Sequence, residues 1–262
     1  MIKALLIGLT IVLIIPNFLD VPVFPKSGYD HKEEYDESLA GINSIVKLDQ
    51  YIDSILISKK IISQSYESVA EISNTIKNRF YHGYSHFSFR QNWIAVVSGK
   101  LFDSGMACKV DPDNILEHPN AACSQQAIVM MAVLRRRGIE YRHLAFPHHY
   151  ALEVLIAGTW YFFDPNMEPS MSKEQSSDNK WQYRSDRLKR YYVKKEPGKM
   201  DYAFGYGLTA QKGTINEVPA PNARLFQRVT GILSKTIWCC PLLMFLIISR
   251  KKKANFRLTA DH

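Results

Sequence analysis

The chain is 262 residues long, 46% hydrophobic and 12% aromatic, with a formal charge of +8. Half of that charge lies in the last 13 residues, where five basic groups face one acidic group, so the basic balance reports membrane topology rather than a nucleic-acid surface. About 200 residues remain between two apolar ends, enough for one domain with a sizeable core, and the sequence carries no internal repeat and no glycine-rich phosphate loop.

Residues 4–15 form an apolar run behind Lys3, broken by Pro16 and followed by further apolar residues up to Phe24. The run fits a signal-peptide core or a short anchor; no small-x-small cleavage site follows it, which favours an uncleaved anchor over residues 1–24. Residues 25–42 are acidic and polar and read as a linker into a domain spanning residues 43–193. Residues 43–62 and 65–80 carry Ile, Val and Leu at helical intervals, with Val69, Ile72, Ile76 and Phe80 as the clearest stripe, so two core helices are predicted there. Cys123 then opens a third helix whose apolar face is Ala127, Met130, Met131 and Leu134, stopped by Arg135-Arg136-Arg137-Gly138. At that end of a helix the free N–H groups and the dipole stabilise a thiolate.

Residues 139–146 suit a strand, and residues 150–156, a turn at Ala157-Gly158 and residues 159–164 read as a hairpin. Alternation points Tyr150, Leu152, Val154 and Ile156 to the core and places His149, Ala151 and Glu153 on the other side, which selects His149 over His148. Trp160, Phe162 and Asp164 share one face of the last strand, and Asp164 lies about as far past the turn as His149 lies before it. Cysteine, histidine and aspartate in that order supply the nucleophile, the base and the acid that orients the base in acyl transfer.

Beyond the hairpin, residues 171–201 hold nine Lys or Arg against five Asp or Glu, with Trp181, Tyr183, Tyr191 and Tyr192 interleaved. The stretch reads as a solvated loop with some helix; contact with anionic headgroups or an acidic envelope polymer is the alternative. Residues 194–230, with Pro197-Gly198 and Pro219-Ala220-Pro221, read as a second linker running back to the membrane. Residues 231–249 are predicted to be a transmembrane helix, with Lys235 near its start and the basic tail 250–262 as its positive-inside flank. Both termini then face the cytoplasm and residues 25–230 lie outside it. Two competing uses of Cys123 also follow from the sequence: a disulfide to Cys108 across a loop of about 15 residues, and a metal site with Cys108, His118, His143 and His148, whose spacing fits no paired ligand pattern.

The residues around the triad resemble the transglutaminase-like superfamily of papain-fold cysteine enzymes. The cysteine helix ends in a Gly-Ile-x-x-Arg turn (Gly138, Ile139, Arg142), His149 stands four residues before Glu153-Val154, and Gly158-Thr159-Trp160 leads to Asp164-Pro165. These five elements fall in order over about 45 residues, a specific signal that covers a sixth of the chain. Ala151 replaces an aromatic common in the family, and His148 replaces a glycine, which bears on the shape of the substrate cleft. The resemblance implies an α+β fold with the catalytic cysteine at a helix N-terminus packed on an antiparallel sheet, here flanked by membrane segments in a bacterial envelope protein. On a Gram-negative cell the domain would lie on the periplasmic side of the inner membrane. It implies catalysis by Cys123, His149 and Asp164, with Gln91 or Trp93 as oxyanion support, no cofactor, and a protein or peptide substrate. It favours hydrolysis over transamidation. The alternative is an inactive envelope scaffold or binding module of the same fold, with Cys108 and Cys123 bridged.

Overall fold

The structure is a computed structural model that describes residues 1–25, 27–30, 33–177, 185–192, 197–206 and 210–260. It divides into two compact units. A sheet unit comprises Lys26–Ser85 and Lys109–Ala220, and a helical unit comprises Met1–Pro25, His86–Cys108 and Pro221–His262.

The sheet unit is α+β. Its first helices, α2 (Ile45–Ser58) and α3 (Tyr66–Arg79), fall where the apolar stripes place them. Each starts at a serine N-cap: Ser44 Oγ accepts from Lys47 N and Ser65 Oγ from Ser68 N, satisfying end groups that the helix itself leaves unpaired. Leu48 and Ile52 of α2 and Val69, Ile72 and Ile76 of α3 are fully buried. Strand β1 (Tyr81–His82), helix α5 (Pro112–Leu116) and strand β2 (Asn120–Ala121) follow, β1 and β2 pairing in parallel. Helix α6 (Cys123–Arg136) is buried nearly all round, because α2, α3 and α5 pack on it from one side and the main sheet from the other. It ends at Gly138, whose φ of +66° is the left-handed closing turn that glycine adopts without a steric cost.

The main sheet is antiparallel, in the order β5 (Thr159–Phe163), β4 (Tyr150–Ile156), β3 (Tyr141–Ala145), β6 (Gln211–Lys212). Ala157 and Gly158 both have positive φ, the backbone a tight two-residue hairpin needs. Arg142 pairs with Glu153 across the strands, and their side chains form an ion pair at 2.5 Å. The same guanidinium lies 4.2 Å from the centre of the Trp160 ring. Lys212 of β6 closes on the buried Glu153 from the other side at 3.3 Å. Three elements spaced along the sequence motif thus meet as one cluster on the sheet.

Two expectations for this region need correction. Tyr150 is 40% exposed, while Ala151 and Glu153 are fully buried, so β4 is covered on both faces rather than one. Past a short helix α7 (Lys173–Ser176), the second cover comes from residues 185–192 and 197–204, whose α8 (Ser185–Lys189), α9 (Pro197–Phe204) and the turn after α8 lay Leu188, Tyr192, Met200 and Phe204 against Leu144, Phe146, Ala151 and Phe162. The stretch read as a linker from residue 194 onward therefore contributes a core helix and the edge strand β6. Its Pro and Gly suggest a loop, yet Pro197 begins a helix, where proline's missing N–H costs nothing. Likewise residues 33–36 are not a free tether: Asp36 N donates to Asn78 O at 2.7 Å and Glu34 pairs with Lys77 at 2.6 Å. Of the basic segment, Trp181 and Tyr183 lie outside the described residues.

Arg79, at the end of α3, is 2% exposed and donates to four main-chain carbonyls, those of Ala40, Ile42, Leu116 and His118. One guanidinium thus holds the entry to α2 and the loop before β2 on the same helix.

In the helical unit, α1 (Ile2–Ile14) continues as a 3₁₀ turn to Phe18 and packs on α11 (Cys239–Ala260). Helix α4 (Phe89–Leu101), kinked at Asn92, packs on α10 (Pro221–Thr236). Pro221–Arg250, 30 residues across α10 and the start of α11, is long and apolar enough to cross a membrane.

Candidate active site

Cys123 is the first residue of α6, with Ala122 in extended backbone before it. The turn into the helix is held by Gln125, whose Oε1 accepts from Ala122 N (3.2 Å) and Ser85 N (2.9 Å) and whose Nε2 donates to Ser85 O and Lys109 O. A buried amide with four partners fixes where the helix starts, and so fixes the cysteine.

His149 immediately precedes β4 and is 2% exposed. Its carbonyl accepts from Phe146 N, the edge of its ring meets Phe204 at 5.2 Å between centres, and His148 N donates to Ala203 O. Helix α9 thereby clamps the β3–β4 turn. Asp164 follows β5; one place beyond the observed pairing Leu152↔Phe163 it stands opposite Ala151, close beside His149. His149 Nε2 lies 2.7 Å from Asp164 Oδ2. With Nε2 engaged, the ring's other nitrogen is the one left for Cys123, whose proximity is among the causes that raise the imidazole. The structure brings together all three residues that the sequence nominated.

The carboxylate of Asp164 is saturated. Oδ2 also accepts from Tyr192 OH at 2.7 Å, and Oδ1 accepts from Asn166 N and Met167 N, both at 3.1 Å. Burial works against its charge, but the opposing charge and hydrogen bond of His149, the Tyr192 hydroxyl and Met167 N–H hold it below the usual carboxylate range. For His149 burial again opposes the charged form; Asp164, by charge and hydrogen bond, and then Cys123 outweigh it and raise the imidazole to about 10. The site therefore favours an imidazolium between two potential anions.

A second carboxyl lies behind the first. Glu168 Oε2 accepts from Asp164 N at 3.1 Å and from the Ser73 hydroxyl, and Glu168 N donates to Asp164 O at 2.8 Å. Burial, and secondarily the charge of Asp164, push Glu168 up to about 8, so at neutral pH it is mostly protonated. Its φ of +23° is a strained value for a residue with a side chain. Sequence reasoning missed Glu168, Ser73 and the role of Tyr192. Glu168 alone had a local signal, an acidic residue one helical turn past Asp164-Pro165; Ser73 and Tyr192 arrive through tertiary packing.

Cys123, His149 and Glu168 open on one cavity of about 990 Å³. It is walled by Tyr66, Tyr191 and Tyr202, with Tyr202 stacked flat on His148 at 4.0 Å, and Lys77 and Lys199 add charge. This is the size and mixture of aromatic and polar lining expected of a substrate pocket.

The other nominated residues are placed differently. Gln91 and Trp93 belong to the helical unit, where Gln91 Oε1 accepts from Ser88 N and Trp93 Nε1 donates to Ser234 O at 3.0 Å. The indole N–H is thus spent on a carbonyl, and neither residue lines the cavity. Cys108 and Cys123 are both free thiols, Cys108 Sγ donating to Ser104 O. His143 lies 3.5 Å from Glu217, and His118 contacts Lys109. Among the described residues no group of three or more His, Cys, Asp or Glu is gathered for a metal ion.

No family model matches this chain, and no significant match was found among curated proteins or solved structures.

Proposed function

We propose that this protein is a membrane-tethered cysteine enzyme of the transglutaminase-like kind, carrying out acyl transfer through Cys123, His149 and Asp164 on the outer side of a cytoplasmic membrane, with both termini in the cytoplasm. One observation carries the reading: a buried histidine bonded to a saturated aspartate shares one cavity, large enough for a peptide side chain, with a cysteine that begins a helix.

His149 takes the proton of the Cys123 thiol as the substrate carbonyl is engaged. The sulfur attacks an amide carbonyl, and the oxyanion is held by the Cys123 N–H at the start of α6. As the C–N bond breaks, His149 gives its proton to the leaving amine and an acyl-thioester remains on Cys123. Water, deprotonated by the now neutral His149, then releases the acid, and an entering amine in its place would yield a new amide. Asp164, fixed by four donors, keeps the ring oriented through both halves. The resemblance in the motif favours hydrolysis. Incubating the full chain with a pool of peptides and carboxamides and quenching in acid tests this: a mass increase on the Cys123 peptide, cleared by hydroxylamine and absent from His149→Ala, is the expected result. No adduct with any acyl donor, in a protein whose Cys123 alkylates normally, would overturn it.

A further inference from the structure

Helix α10 is built inside out. Its face toward α4 buries Gln227, Thr230 and Ser234, at 7%, 6% and 0% exposure, while Leu225 and Ile232 stand 63% and 62% exposed, with Val229 and Leu233 beside them. The buried face is a polar seam. Asn92 Nδ2 donates to Thr230 Oγ1 (2.9 Å) and Gln227 O (3.3 Å), Trp93 Nε1 donates to Ser234 O, and Gln227 Nε2 donates to Cys108 O at 2.6 Å. Within the α4 segment itself small residues allow close approach: a Cβ added to Gly99 would come within 2.7 Å of Ala107 Cβ in the turn that follows the helix. Polar and small groups inside with large apolar groups outside is the pattern of helices packed in lipid, where hydrogen bonds must be met internally and apolar faces need no partner.

Length points the same way. Only 14 residues separate Lys235 from Arg250, about 21 Å of helix at 1.5 Å per residue, against about 30 Å of hydrocarbon. The bilayer must therefore reach back into α10 by two turns or so, to the level of Val229 and Ile232. Beside the apolar face Arg228 is exposed and Arg224 half-buried, the charge that anionic headgroups attract, while the deeper Lys235 is satisfied within the unit, its Nζ donating to Asn17 Oδ1 and Arg90 O. Because Asn92 and Trp93 are bonded to α10 at that depth, α4 is drawn in with it. The exposed pair Leu101 and Phe102 closes the same segment.

We propose that His86–Cys108, a segment interrupting the sequence of the sheet unit, is itself membrane-inserted: with α10 it forms an interfacial helix pair whose apolar faces contact lipid acyl chains, with Arg224 and Arg228 of α10 at the anionic headgroups. The inference rests on the membrane reading of α11 and adds to it a lipid-facing surface that the enzyme reading does not require. At the kink, Asn92 Oδ1 accepts from Ala95 N, so the break in α4 leaves its amide satisfied, as lipid demands.

The test is photolabelling of the full chain in nanodiscs containing an anionic phospholipid with a diazirine in its acyl chain, followed by proteolysis and mass spectrometry. Ile57 and Ile62 of the sheet unit, 78% and 79% exposed, are built-in controls for apolar residues that face water. The expected result is adducts on Leu225, Val229, Ile232 and on Leu101 or Phe102 at yields comparable with α11, with Ile57 and Ile62 unlabelled, and reduced yield on α10 in an Arg224→Gln/Arg228→Gln variant. Adducts on α11 with none on α4 or α10 would overturn the inference while leaving the anchor intact. Cross-links from α10 to a second copy in place of lipid would also overturn it. No adducts on any helix would refute the membrane reading itself.

Discussion

The two units treat buried polar groups differently. The sheet unit hides Leu, Ile, Val and Phe and admits polar groups inside only where each is matched, as with Arg79 on four carbonyls and Asp164 on four donors. The helical unit keeps a small apolar core of Phe87, Ala95 and Val96, but it also hides Asn92, Gln227, Thr230 and Ser234 while turning Leu225 and Ile232 outward. Burial alone therefore does not mark function: in the sheet unit a buried charge is either a structural keystone or, on the proposed reading, part of the active site, while in the helical unit buried polarity accompanies apolar groups turned outward.

The largest expected effect separates the active-site charge from the keystone. Asp164→Asn should lower turnover by about 10⁴-fold, the loss usual when the acid that orients a catalytic histidine is neutralised, with the chain still folded by circular dichroism. Arg79→Met should do the reverse, leaving the triad residues in place but destabilising the sheet unit by about 3 kcal/mol or more in denaturant unfolding, because several carbonyls lose a charged donor at once. If Arg79→Met proved neutral in stability, the division between keystone and site would fail.

A smaller effect is expected in the helical unit. Asn92→Leu removes the donor to Thr230 and Gln227, and in a membrane setting such a bond contributes about 1 kcal/mol. A measured loss of several kcal/mol by thermal unfolding in nanodiscs would place the seam in an environment without alternative partners. The finest contrast is Glu168. Its folded carboxyl, raised to about 8 from an ordinary 4.5, contributes stability that is fully present below 4.5 and lost as pH rises through 8. Glu168→Gln should abolish that slope, so the melting temperatures of wild type and variant should diverge from pH 5 to pH 9 with the variant the steadier; parallel curves would contradict the assigned burial of the carboxyl.

The triad was legible in the sequence because its signals are local. A helix start, a strand parity and a hairpin turn placed Cys123, His149 and Asp164 within one stretch of chain. The motif residues Arg142, Glu153 and Trp160 were legible as spacing, but their purpose, an ion pair stacked on an indole, emerged only from strand register. Residues 197–204 were read as linker because turn-forming residues and high charge hide a short helix whose few apolar side chains find the sheet from a distance along the chain. Ser73, Tyr192 and Arg79 left no periodic trace at all, since their partners are main-chain groups or residues tens of positions away.

The central claim is that His149, held charged by Asp164, activates Cys123. The most direct test is the pH dependence of Cys123 alkylation in the full chain, read on its own peptide by mass spectrometry and compared with His149→Ala. The account predicts fast labelling well below pH 8 that persists as pH rises through 10, where His149 gives up its proton and turnover falls, and it predicts that His149→Ala loses the fast labelling at neutral pH. Labelling that rises only near pH 8.5, the range of an ordinary thiol, and is indifferent to His149 would contradict it.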